Sequence, residues 1–176
     1  IKHAVLTSVD RDDLKDMGSI MWAETVKAVR RMNPNTTMET LIPDFQGIEK
    51  HIDLYPSHLL EALYYSNDLN KVCVDAKGKK YYTYDGINHD LKPIDRIIEV
   101  APEVVSHNME TVRRLTREVR IQAKYEKSLG VLKYLKDNGQ RRTKTGLMLG
   151  LGETRDEVIE TLHDIRNANV DVVTIG

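Results

Sequence analysis

Apolar positions along this chain fall into short continuous runs separated by longer stretches with helical spacing. Strand-like runs lie at Ala4–Val9, Met38–Pro43, Val104–Asn108, Gly146–Leu149 and Val172–Gly176. Between them, Trp22, Val26 and Val29 share one helical face; so do Leu129, Leu132 and Leu135, and again Val158, Leu162 and Ile165. Asn138-Gly139 marks the end of the second pattern. Thr154 and Glu157, in capping-box spacing, open the third. Strands alternating with helices predict parallel βαβ units with right-handed crossovers. The strands are short and apolar, as expected where helices cover a parallel sheet. The expected fold class is therefore α/β, with a sheet that closes toward a barrel or stays doubly wound. Either way, polar residues should collect at the C-terminal ends of the strands.

The alternation fails between Leu54 and Pro93. There "SHLLEALYYSNDL" reads as a short helix, and "KVCVDAKGKKYYTYDG" as two strands around a Lys-Gly turn. Ile52-Asp53 before this stretch recurs as Ile94-Asp95 after it, and splicing the two ends gives one amphipathic helix, "GIEKHIDRIIEVAPE". Residues 54–93 thus read as an insertion, a small α+β segment within a helix of the main domain, which spans 1–176. Tyr81, Tyr82 and Tyr84 read as the cover of a satellite core, or else as a stacking surface.

Composition narrows the function. The 176 residues carry 26 Lys+Arg against 27 Asp+Glu, so no net field argues for nucleic acid or a membrane surface. No run is long and apolar enough to span a bilayer, and no signal-peptide pattern is present. The expected setting is cytoplasmic. Cys73 is the single cysteine, which excludes a disulfide framework and any metal site built from several thiolates. Flanked by Val72 and Val74, it reads as a structural strand residue. The chain opens at Ile1 within a strand-like run and stops at Gly176 at the end of another, so a piece of a longer protein is expected.

The strand ends read, in order, "TSVDRDD", "IPDFQG", "SHNMET", "GLGET" and "TIG". Any one of these is an ordinary polar loop; together they point to a shared site at one rim. The fourth has three glycines, Gly146, Gly150 and Gly152, within seven positions at a strand-to-helix turn. Such a turn brings backbone close to a ligand or forms a tight corner.

With these motifs the sequence resembles the lipoyl synthase family of the radical S-adenosylmethionine superfamily. "HAVLTSVDRDDL", "NPNTTMETLIPDFQG", "VSHNMETVRRLTREVR", "KYEKSLGVLKYLK", "TKTGLMLGLGETRDEVIETL" and "VDVVTIG" follow in family order. The glycine motif by itself is shared with biotin synthase. The resemblance covers nearly all of the chain except the insertion. It implies a partial (β/α) barrel, of which this chain holds roughly the second to sixth strands. The activity it implies is insertion of two sulfur atoms into protein-bound octanoyl-lysine, at carbons six and eight. The implied cofactors are S-adenosylmethionine and two [4Fe–4S] clusters, one of them consumed as the sulfur source. Implied partners are an octanoylated lipoyl carrier domain or glycine-cleavage H protein, and an electron donor such as flavodoxin or ferredoxin. Both cysteine triads of the family are missing, as is the C-terminal serine that caps the auxiliary cluster. One thiol cannot hold such a cluster, so the chain alone is expected to be inactive. Smaller departures are "DLKDMGS" and Thr145, where a serine is common. A biotin synthase-like sulfur insertase and a non-catalytic nucleotide-binding barrel fragment stay open as alternatives.

The resemblance also suggests residue roles, all in cofactor binding. Thr7, Ser8, Asp10 and Asp12 offer hydroxyl and carboxylate acceptors where relatives hold the methionine ammonium. Arg11 and Asp13 of the same motif read as a surface pair. Asn108 and Glu110 stand where relatives bind ribose hydroxyls, although Glu110 also suits a helix N-terminus. Arg120 is singled out as a fork for the cosubstrate carboxylate, while Arg113, Arg114 and Arg117 read as solvated. Gly146, Gly150 and Glu153 fit the pattern G-x-I-x-G-x-x-E, with Met148 in the apolar slot. Gly150 and Gly152 would admit the cosubstrate, Leu149 and Leu151 would face its adenine, and Glu153 would brace the turn. His107 is expected on the opposite face as a satisfied core residue. Lys144 falls at the far end of its strand, without an assigned role. No catalytic or metal-ligating residue is expected in this chain.

Overall fold

The structure, a computed structural model, describes residues 1–11, 14, 17–45, 72–74, 80–84, 87–89, 93–121 and 123–176. They form two compact units. The first comprises residues 1–9, 33–44 and 101–176, and the second residues 10–32 and 45–100.

The first unit holds strands β1 (His3–Thr7), β2 (Thr37–Leu41), β6 (Val104–Ser106), β7 (Thr143–Leu147) and β8 (Val172–Ile175). Helices α3 (Thr116–Val119), α4 (Tyr125–Asp137) and α5 (Arg155–Asn167) belong to it too. The strands pair in the order β1-β2-β6-β7-β8, every pair parallel. This is a partial (β/α) barrel, as expected. Side chains alternate between the faces of each strand. One face carries Met38, Val105, Leu147 and, just past β6, His107 and Met109, all buried. Met109 and Leu147 pack with Tyr125 and Leu132 of α4 and Ile165 of α5. The other face carries Val5, Thr7, Glu39, Leu41, Val104, Ser106, Asn108, Lys144, Gly146, Val172 and Thr174, and β1 and β8 expose it at the sheet's edges.

Both long helices of this unit stop as local chemistry dictates. Gly139, at φ +98°, lets Gln140 N–H reach Leu135 O (2.9 Å) and Gly139 N–H reach Lys136 O (3.4 Å). That is a Schellman closure. Asn169, at φ +57°, does the same for α5, with Val170 N–H on Ile165 O at 3.3 Å. At the front of α5 the expected Thr154–Glu157 capping box forms in full.

The second unit contains α1 (Ser19–Met32), α2 (Pro93–Val100) and a sheet of β3 (Val72–Val74), β4 (Lys80–Tyr84) and β5 (Ile87–His89). Helix α1 packs against α2, with Trp22 and Val26 buried on one helix and Ile94 and Ile97 on the other. The Arg30 guanidinium caps the end of α2 at Val100 O (2.7 Å). Proline at the first position of α2 suits a helix start. The two strands expected in the inserted segment are present and antiparallel, and a third, β5, joins them. The helix expected near residues 57–69 and the first half of the spliced helix lie outside the described residues.

The glycine-rich strand lies further back than its apolar run suggests. It was expected at 146–149 and runs from Thr143 to Leu147. Thr143 and Thr145 are fully buried because their hydroxyls are engaged: Thr145 Oγ1 donates to His107 O (2.8 Å) and accepts from Met109 N–H (3.1 Å). Hydropathy alone does not register a satisfied hydroxyl.

Candidate functional site

Where β6 and β7 end, two polar side chains and a glycine meet in close contact. Asn108 Nδ2 donates to Glu110 Oε1 at 3.0 Å. Glu110 has φ +65°, a left-handed conformation that disfavours any residue but glycine. Its backbone is held by Gly146 O, which accepts its N–H (2.9 Å), and by Met148 N–H, which donates to its carbonyl (2.7 Å). These bonds make a parallel bridge between Glu110 and Leu147 and turn the carboxylate back toward Asn108. A β-carbon added to Gly146 would sit 2.9 Å from Asn108 Oδ1 and 3.3 Å from Thr174 Oγ1. Glycine is required at 146 because the Asn108 amide occupies that space.

The loop after β7 explains the other two glycines. Gly150 has φ +94° and Gly152 φ +105°, and neither would crowd a neighbour if a β-carbon were added. Conformation demands them, and the space beside them is open. The Glu153 carboxylate accepts from Gly150 N–H (2.6 Å) and Leu151 N–H (2.9 Å). The bond from Gly150 is the main reason the Glu153 carboxyl lies below its ordinary range. The loop's backbone donors are therefore already filled by the chain's own anion, which disfavours a phosphate there and fits a bracing role for Glu153. Met148, Leu149 and Leu151 are exposed around this loop.

Arg114 pins the loop from outside. Its Nη2 reaches Gly152 O (2.9 Å) and its Nε reaches Glu157 Oε1 (2.7 Å), and Arg114 holds the Glu157 carboxyl down to about 2. Arg113 pairs with Glu126 and with Asp164 (3.0 Å), its guanidinium 4.3 Å above the Tyr125 ring centre. Both arginines are exposed, as expected, and each holds surface partners besides. Their partners lie far along the chain, and no local pattern reports them.

Arg120 is engaged by the chain as well. Its Nη2 is 2.5 Å from Asp44 Oδ1, and its Nη1 donates to Ser128 Oγ (3.0 Å). His107 Nε2 lies 3.3 Å from the same Asp44 oxygen and 3.1 Å from Ser128 Oγ. Asp44, His107, Ser128 and Arg120 thus tie the exits of β2 and β6 to the start of α4. His107 is buried on the helix-covered face, as alternation predicts. Arg120 Nε–H has no protein partner among the described residues.

Of the remaining expected ligands, Thr7 and Ser8 lie at the exposed exit of β1, in the sheet-bearing unit, with Ser8 Oγ donating to Val9 O (3.0 Å). Asp10 is exposed and belongs to the second unit. Asp12 lies outside the described residues. The structure therefore brings together Asn108, Glu110, Gly146 and the 150–153 loop in one unit. Sequence reasoning left Glu39, Asp44, Ser106, Thr145 and Thr174 unassigned. A glutamate in the middle of a covered strand was the one available signal, at Glu39. Among the described residues no group of three or more His, Cys, Asp or Glu side chains is placed to hold a metal ion.

The model of the family described as "Radical SAM superfamily" matches residues 1–165. A lipoyl synthase of Christiangramia forsetii is 63% identical over all 176 residues, which is 46% of that protein. A mitochondrial lipoyl synthase of Nematostella vectensis is 61% identical, and a lipoyl synthase of Flavobacterium johnsoniae 59%, with the same coverage. The chain spans a little under half the length of these relatives.

Proposed function

The chain belongs to the radical SAM superfamily, and we propose that it is the part of a lipoyl synthase that binds S-adenosylmethionine along the C-terminal edge of its sheet. The reaction of the whole protein is then insertion of two sulfur atoms into octanoyl-lysine on a lipoyl carrier domain or H protein. A flavodoxin or ferredoxin supplies electrons, in the cytoplasm or an equivalent aqueous compartment. Among the described residues no helix is long and apolar enough to cross a membrane.

The observation that carries this reading is the Asn108–Glu110 pair. A left-handed glutamate is a costly conformation, of order 1–3 kcal/mol, and here it turns a carboxylate onto an amide in space kept clear by a glycine. A pair of acceptors beside a donor is what two neighbouring ribose hydroxyls require. The residues present fit the rest of the cosubstrate. Leu149 and Leu151 offer apolar surface to adenine, and Gly150 and Gly152 leave open space beside it. Thr7 and Ser8, at the exposed exit of β1, offer hydroxyl acceptors to the ammonium. Arg120, with Nε–H unpartnered and Asp44 fixing its other edge, serves the carboxylate.

When bound and reductively cleaved, S-adenosylmethionine supplies a carbon-centred radical that abstracts hydrogen. This chain's residues orient it and keep its ribose fixed. The iron–sulfur clusters implied by the family do not fit this chain, which has one thiol. By itself the chain binds and does not cleave.

The test is Glu110→Ala in the full-length, cluster-loaded protein. Losing a partner for a ribose hydroxyl costs about 1–3 kcal/mol, roughly one to two decades in affinity. S-adenosylmethionine binding should weaken by that much while binding of the octanoylated carrier stays the same. Unchanged affinity for S-adenosylmethionine with a weaker hold on the carrier would remove Glu110 from this site.

A further inference from the structure

One row beneath Asn108 and Gly146, the same sheet face carries an ion pair that the cosubstrate site does not use. Lys144 Nζ lies 2.9 and 3.2 Å from the two oxygens of Glu39. Ser106, paired in register with Lys144, donates to Glu39 Oε1 at 2.7 Å. His3 Nε2 stands 4.0 Å from the other oxygen. The flanking positions on this face, Val5, Leu41, Val104 and Val172, are apolar.

An ion pair of this kind is seldom needed for stability, because apolar residues of similar volume do as well or better. Its chemistry suggests a ligand. Glu39 is nearly covered, with 10% of its side chain exposed, and its carboxylate is filled by Lys144 and Ser106. Lys144 is 27% exposed, and of its three N–H donors at most two point at Glu39. The partial exposure of the side chain leaves the remaining donor available to a ligand. Beside Glu39, a ligand carboxylate would meet like charge, whereas a neutral carbonyl oxygen takes the donor without repulsion.

We propose that Lys144, held by Glu39 and Ser106, is a substrate-positioning residue that anchors the neutral carbonyl of an amide-linked acyl chain lying on this face. The proposal rests on the reading of the site above it as the cosubstrate site. Two residues of a parallel strand advance about 6.6 Å, which separates Lys144 from the row of Asn108. Five C–C bonds of ~1.5 Å in an extended chain project to about 6 Å. A carbonyl held at Lys144 therefore brings the sixth carbon of an octanoyl chain level with Asn108. The apolar neighbours Leu41, Val104 and Val172 suit the methylenes between.

The test uses the full-length, cluster-loaded enzyme and a peptide bearing octanoyl-lysine, with Lys144→Met and Lys144→Arg. Lys144→Met should raise KM for the peptide about tenfold and leave the KM for S-adenosylmethionine unchanged, with Lys144→Arg close to wild type. Octanamide should compete better than octanoate against wild type, and that preference should vanish in Lys144→Met. An unchanged peptide KM, or equal losses for peptide and S-adenosylmethionine, overturns the assignment, the second outcome marking a structural role. A wild-type enzyme that never converts the peptide overturns the proposed function, and this inference with it.

Discussion

Replacing Gly146 by alanine probes the candidate site through one contact. Gly146 does not have a left-handed φ, so alanine meets no backbone strain there. The added methyl carbon would lie 2.9 Å from Asn108 Oδ1, 3.2 Å from Asn108 Cγ and 3.3 Å from Thr174 Oγ1. Non-bonded carbon and oxygen settle at about 3.3–3.6 Å, so the Asn108 amide must turn away. Its 3.0 Å bond to Glu110 is then lost. A hydrogen bond to a charged group contributes about 1.5–3 kcal/mol, and these two side chains are only part-buried, so about 1–1.5 kcal/mol is the better figure. Alanine in place of glycine stiffens the unfolded chain and returns about 0.4–1 kcal/mol. The net loss of stability is therefore small, between about 0 and 1 kcal/mol. If the proposed ribose site is right, the loss of S-adenosylmethionine affinity is larger, about tenfold or more, because Asn108 is displaced and Glu110 loses the bond that orients it. The decisive comparison is a double-mutant cycle. With Asn108→Ala already in place, Gly146→Ala should become neutral or stabilising, a coupling of about 1 kcal/mol or more. Urea midpoints of the four full-length proteins, at constant slope, measure it. Equal destabilisation by Gly146→Ala in both backgrounds would refute the argument that the Asn108 amide demands a glycine.

Two further outcomes follow from the same geometry. Reconstituting the 176-residue chain with iron and sulfide should yield no stable four-iron cluster, since it carries one cysteine; iron and acid-labile sulfide analysis with absorption spectroscopy measures this, and a full cluster per chain would mean ligands of another kind. The Glu157 carboxyl should titrate at about 2, as followed by NMR, and move up toward the ordinary carboxylate range in Arg114→Ala. Because its folded value is depressed, its stabilising interaction with Arg114 and Thr154 is complete above the ordinary carboxylate range and fades as pH falls toward 2. An unmoved titration in Arg114→Ala would show that the helix start alone sets it.

Sequence pattern by itself determined the alternation of strands and helices, the parallel sheet, the capping box at Thr154 and the stop at Gly139. Each depends on residues within a few positions of one another, where burial is periodic and caps have fixed spacing. The rim motifs were legible for the same reason, and strand alternation alone put His107 on the face opposite Asn108. The third inserted strand carried a local signal too, the Asp85-Gly86 pair before Ile87, characteristic of hairpins. Tertiary structure decided the rest. Thr143 and Thr145 are strand residues because the backbone just past β6 satisfies the Thr145 hydroxyl and Asp171 bonds Thr143. Arg120 meets Asp44 across 76 positions, and Lys144 meets Glu39 across 105. A charged side chain looks the same in sequence whether it is solvated or paired; only when the sheet brings β2 beside β6, and β6 beside β7, do its partners come within reach.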